Sequence, residues 1–176
     1  MKNTVCATFA VISSFIVLGF VILLSIRLTY VPASFAAKRD SPMTQHATGP
    51  FEVETTPLDP AFKFDDNSLG RFSLDKQFHG DLEATGKGEM LTAGSPTKGS
   101  GAYVAIERVS GSLHGRSGTF ILQHSGTMAH GSYQLSIAVV PDSGTGQLAD
   151  LTGSMTIIIK EGTHTYDLAY ALPASK

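Results

Sequence analysis

YVAIERVSGSLHGRSGTFILQHSGT, residues 103–127, consists of two β-forming runs joined through closely spaced glycines. With Gly115-Arg116 as a two-residue turn, glycine takes the first central position, as a type II′ hairpin requires. Pairing then sets Glu107 opposite His124, Arg108 opposite Gln123, and Tyr103 opposite Met128. Directly opposed side chains have Cβ atoms about 5 Å apart, so Glu107 and His124 come within hydrogen-bond reach. The plain reading is a cross-strand ion pair on the outer face. The sharper one is a buried acid/base pair in which a carboxylate orients an imidazole. Tyr103, Ala105, Glu107, Val109 and Leu113 share one face of the strand, and Ala102, Val104, Ile106 and Arg108 share the other. Before Arg108 the second set is the more apolar and reads as the core face, so alternation does not place Glu107 inside.

The hairpin is one copy of a repeat. GSLHGRSGTFIL (111–122) aligns with GQLADLTGSMTI (146–157) at an offset of 35 residues, with Phe120 matching Met155. A looser copy starts at Gly80-Asp81-Leu82, and each copy reads as a hairpin with glycine at the bend. Around these copies the chain alternates short β-type runs with turn residues. Strands are expected near 50–56, 71–79, 82–92, 101–113, 118–128, 133–141, 147–160 with a break before 153, and 163–171. No window beyond residue 50 keeps a helical period, and 17 of the 18 glycines lie beyond residue 48. This pattern argues for an antiparallel sandwich or barrel, and the repeated hairpins suit a meandering barrel better than a Greek-key sandwich. The expectation is therefore an all-β domain, a small antiparallel closed β-barrel of about eight strands, over residues 50–173. PLDPAFKFDDNSLG (57–70) is the one long irregular connection, with room for a short helical turn.

Residues 3–26 carry no charge and include FIVLGFVILLSI. That run is long enough to cross a bilayer as one helix, and longer than the roughly 7–15 apolar residues of a signal peptide. Residues 1–28 are therefore expected to be a transmembrane anchor, with a polar linker over 29–49. The expected location is the membrane, single-pass, with the barrel outside the cytoplasm. The alternative is a secreted or periplasmic protein cut near Ala36, where Ser34 and Ala36 supply small residues. Beyond residue 37, 11 basic side chains face 15 acidic ones, a balance of −4, which argues against a nucleic-acid footprint, since that needs a basic face. Cys6, the only cysteine, lies in the apolar run, so the barrel has no thiol chemistry.

Under the 35-residue offset Glu107 coincides with Asp142, and Glu89 is a third acid beside an apolar run. Carboxylates converging in a barrel mouth would share a proton and could activate water. The bland reading of Asp142 and Ser143, in PDSGTG, is that they hydrogen-bond their own turn. His79, His114 and His164 flank predicted turns, and the spacing of His114 and His124 matches no compact metal motif, so no metal is expected. No cofactor fingerprint is present either: GSGAY and GTGQL lack the following helix that phosphate binding needs.

DSGTGQLADLTGSMTI is similar to the Gly-Thr-Gly turn of allene oxide cyclase and dirigent-type barrels. LDKQFHGDLEATGKGEML, YVAIERVSGSLHGRSGTFILQHSGTM and VVPDSGTGQLADLTG together resemble the bacterial family known as domain of unknown function 3224. That resemblance runs from about Gly49 to Leu172. It implies an allene-oxide-cyclase-like barrel without an assured activity, and no cyclase residue carries over. Two functions are expected from different classes. One is a binding module holding a small apolar or amphipathic ligand, with Tyr103, Gln123 and Ser143 as ligand-binding candidates. The other is a carboxylate-dependent enzyme, an aspartic-type hydrolase or an isomerase, with Glu107, Asp142, His124 and Glu89 as catalytic candidates. A third, purely structural reading has barrels associating with copies of themselves along exposed faces.

Overall fold

A computed structural model describes residues 43–62, 64 and 68–173. The expected membrane segment, and with it the choice between anchor and cleavage, lies outside the described residues. Among the described residues no helix is long and apolar enough to cross a membrane.

Eight antiparallel strands close into a barrel in chain order: β1 (Gln45–Leu58), β2 (Leu69–Phe78), β3 (Leu82–Gly94), β4 (Gly101–Leu113), β5 (Arg116–Ala129), β6 (Ser132–Val139), β7 (Thr152–Lys160) and β8 (Thr163–Ala171). β1 pairs with both β2 and β8, which removes free sheet edges there. β1 starts at Gln45, inside the stretch expected to be linker. No helical turn occurs among the described residues of the 59–68 connection.

Three connections are tight. His114-Gly115, His130-Gly131 and Glu161-Gly162 each pair two positive-φ residues between adjoining strands, the geometry of type I′ turns. The tip of the β4–β5 hairpin is therefore His114-Gly115, and the expected Gly115-Arg116 turn is corrected. Pairing shifts by two residues. Glu107 stands opposite Leu122, Ala105 opposite His124, Arg108 opposite Ile121, and Tyr103 opposite Gly126. A slip of one residue would have reversed the faces, whereas a slip of two preserves them. Glu107 and His124 remain on the same face as diagonal neighbours.

That face is the interior, which reverses the core-face reading. Ala105, Glu107, Val109 and Leu113 are buried, while Val104 and Ile106 are 53% and 55% exposed. Counting apolar residues misleads here because the outer wall carries an exposed apolar patch and the inner wall carries charge.

The repeat also takes a different form from the one expected. Its first copy is a hairpin, but 146–148 form a 3₁₀ turn that leads into β7. The three copies share a leucine: Leu82, Leu113 and Leu148 are all buried, as are the matched Phe120 and Met155. The leucines sit where the chain enters or leaves one end of the barrel and help plug it. Tyr166 fixes the same end, accepting a hydrogen bond from the Leu82 amide at 2.9 Å and donating to the His79 carbonyl at 3.0 Å.

Candidate functional site

Midway down the barrel the apolar lining is interrupted by three polar side chains. β2 presents Leu74, Lys76 and Phe78 inward at alternate positions, so Lys76 occupies a core position and is 5% exposed. β4 presents Glu107, fully buried, and β5 presents His124, 3% exposed. Lys76 Nζ donates to Glu107 Oε2 at 2.7 Å. His124 Nε2 lies 3.0 Å from the same oxygen. That contact is close enough for charge pairing but poorly directed as a hydrogen bond, and His124 Nε2 and Glu107 Oε1 both lack a hydrogen-bond partner. The Lys76 ammonium also lies 5.4 Å and 5.7 Å from the ring centres of Phe51 and Phe78.

Glycine on β3 makes this arrangement possible. A Cβ on Gly86 would come within 1.9 Å of Glu107 Oε1. Any side chain there would force the carboxylate out of place. Burial raises the Glu107 pKa, but His124 and the Lys76 ammonium more than offset it, so the carboxyl sits below its ordinary range. Glu107 is held as an anion.

Toward the open end of the barrel the lining retreats into a cup of about 380 Å³. Lys76 and His124 face it from below, Phe51, Leu74 and Met90 form part of its wall, and Tyr103 and Tyr133 stand at its rim. Tyr133 donates to the Tyr103 hydroxyl at 3.2 Å, and the Tyr103 pKa is raised chiefly by burial, then by that bond. His164 packs on Phe51 with ring centres 5.2 Å apart. Among the described residues no cluster of three or more His, Cys, Asp or Glu is placed to hold a metal.

The structure brings together Glu107, His124 and Tyr103 from the expected candidates. It does not bring the others to them. Asp142 is exposed in a left-handed turn residue at the plugged end, φ 59°. Ser143 Oγ accepts from the Ile121 amide at 3.1 Å and donates to the Val140 carbonyl at 2.7 Å, tying the turn to β5. Glu89 faces outward in a bidentate pair with Arg71, its carboxylate oxygens 2.7–2.9 Å from the guanidinium nitrogens. Gln123 is also exposed on the outer wall.

Lys76 and Gly86 were missed at the sequence level. In SLDKQF a lysine alternates with Leu74 and Phe78 on one strand face, which marks it as inward. In LEATGKGEM the inward positions shrink to Ala84, Gly86 and Gly88, a signal that something large enters from across the barrel.

A family model described as protein of unknown function (DUF3224) matches residues 47–170. The chain belongs to the DUF3224 family. It is also similar to a crystal structure of a DUF3224 protein with unknown function from Shewanella oneidensis MR-1. The two are 44% identical with a TM-score of 0.71, over 76% of this chain and 100% of the other. No curated protein matches the chain. The DUF3224 match spans all eight strands in part or whole, and so includes Lys76, Gly86, Glu107 and His124.

Breaking the central pair from one side strands a buried charge. Lys76→Met alone and Glu107→Gln alone should each lower unfolding stability by about 3–5 kcal/mol, while the double variant should recover most of that loss. Urea unfolding of the four proteins measures this, and additive losses would show that the two side chains do not interact.

Proposed function

We propose that the barrel is a binding module for a small amphipathic ligand, held in the cup with its polar end against Lys76 and His124. One observation carries this reading: an apolar cup of about 380 Å³ ends on polar side chains that are almost wholly buried, with His124 Nε2 lacking a hydrogen-bond partner. Ligand sites are commonly apolar pockets of about 300–1,000 Å³ with a few placed polar groups. Buried polar atoms without partners suit a site that a ligand or water completes. Because Glu107 Oε1 is turned against Gly86, the groups offered upward are the ammonium and the imidazole, which favours an acceptor or anionic head group.

A larger depression of about 810 Å³ lies between Pro60–Phe62 and the wall of β2–β5, and Ala105 and His124 also contribute to its lining. Its charged residues, Arg71 and Glu89, already satisfy one another, so we place the ligand in the cup.

A second reading uses the same cup for acid/base chemistry, with His124 moving a proton and Glu107 orienting it. The 3.0 Å contact favours it. The aspartic-type version has less support, because Glu107 meets Lys76 and His124 while Asp142 is exposed in a turn.

The uncharged run 3–26 further supports a membrane anchor for the barrel, which resistance of the full-length chain to carbonate extraction would test.

Dansyl-aminoundecanoate, an anionic fluorescent amphiphile, tests the cup. The probe should bind with enhanced fluorescence, Lys76→Met should weaken it about ten-fold, and Leu91→Asp on the outer wall should leave it unchanged. Loss of binding in Leu91→Asp with none in Lys76→Met would move the site to the outer depression.

A further inference from the structure

The barrel is closed unevenly. β5 and β6 pair from Leu122↔Val139 to Ala129↔Ser132, and β7 and β8 pair from Thr152↔Ala171 to Lys160↔Thr163. Between them β6 and β7 pair only at Ala138↔Ser154, near the plugged end. From that point to the mouth β6 stays with β5 and β7 stays with β8, and no ladder joins the two halves. Tyr133, Leu135, Ile157 and Ile159 line the cup on the two sides of this seam. Three apolar side chains at it stay largely in water: Tyr133 is 54%, Ile158 56% and Ile159 64% exposed. From β1 through β2, β3, β4 and β5 to β6 the cup wall is a continuous ladder that a ligand cannot cross without breaking backbone hydrogen bonds. At the seam that cost is absent, and the apolar lining of the cup continues to the surface.

We propose that the β6–β7 seam is a side portal of the cup, and that it holds the hydrocarbon chain of a ligand whose acceptor or anionic head rests on Lys76 and His124. The site therefore takes a linear single-chain amphiphile in preference to a compact ring compound. This rests on the cup as the binding site and adds the shape of the ligand and its route. Exposed Ile159 and Tyr133 gain contacts when the chain lies across them, and burial of apolar surface there favours longer chains.

The test locks the seam. Ser136 and Thr156 are the next outward-facing positions beyond Ala138↔Ser154 toward the mouth, and both are exposed. A disulfide in S136C/T156C draws the strands to a Cα separation of about 4.4–6.8 Å. Residues 39–176 suit the experiment. They form a compact unit of their own, contain no other cysteine, and correspond to a relative whose whole chain is matched. Dansyl-aminoundecanoate serves as the long probe and octanoate, followed by its displacement of the dye, as the short one. The oxidised variant should bind the long probe at least about ten-fold more weakly or more slowly than the reduced variant, with octanoate binding unchanged. Ile159→Gln, which needs no cross-link and adds no charge, should weaken the long probe several-fold more than it weakens octanoate. Unchanged long-probe binding in both variants would overturn the portal and leave the cup standing. Failure of both probes to bind the unmodified barrel would overturn the cup reading and the portal with it.

Discussion

A carboxylate placed at the centre of a barrel loses its hydration, and that loss costs several kcal/mol unless positive or donor groups meet it in the interior. Glu107 is such a group, and the barrel is arranged around meeting the need. Lys76 comes from β2, His124 from β5, and the space for the carboxylate from Gly86 on β3. Four adjacent strands must hold their registers for the three side chains to converge. A slip of one residue in any of them turns its member outward and leaves the remaining charges unmatched. The cluster thus resists alternative registers while forming the polar floor of an otherwise apolar cup.

The two ends of the barrel divide the remaining tasks. At one end Leu82, Leu113, Leu148 and Tyr166 belong to one buried apolar cluster, and the Leu82 amide donates to the Tyr166 hydroxyl. At the other the lining widens, Tyr103 and Tyr133 form the rim, and the wall between β6 and β7 lacks a ladder. Stability is concentrated at the plugged end and access at the open one.

Much of this fold was legible in the sequence. Period-two runs broken by glycine located the strands, and the repeated Gly-x-Leu copies were read as hairpins, although only one of them proved to be a two-residue hairpin. The Glu107–His124 association was legible too, because an error of two residues in register leaves the faces intact. What failed was the choice of face. Val104 and Ile106 look like core residues and stand on an exposed wall, whereas Glu107 looks like a surface residue and is fully buried. Alternation assigns residues to faces but does not say which face is wet when apolar and charged residues are present on both. Lys76 would have decided it: a lysine between Leu74 and Phe78 on an inward face needs a buried anion, and Glu107 supplies it. The apparent equivalence of Glu107 and Asp142 came from the repeat offset, which holds for the buried leucines and breaks where 140–151 leaves the barrel wall.

Glu107 is an anion held inside the barrel by Lys76 and His124. A carbon-13 NMR titration of the glutamate side-chain carboxyls tests it most directly, with Glu107→Gln identifying the signal. The Glu107 carboxyl should remain charged as pH falls past the ordinary glutamate value of about 4.3. Its contribution to stability should be complete above that value and disappear only as pH drops through the lower folded-state pKa. A Glu107 midpoint at or above about 4.3 would show instead that the carboxyl is no better stabilised inside the barrel than in water.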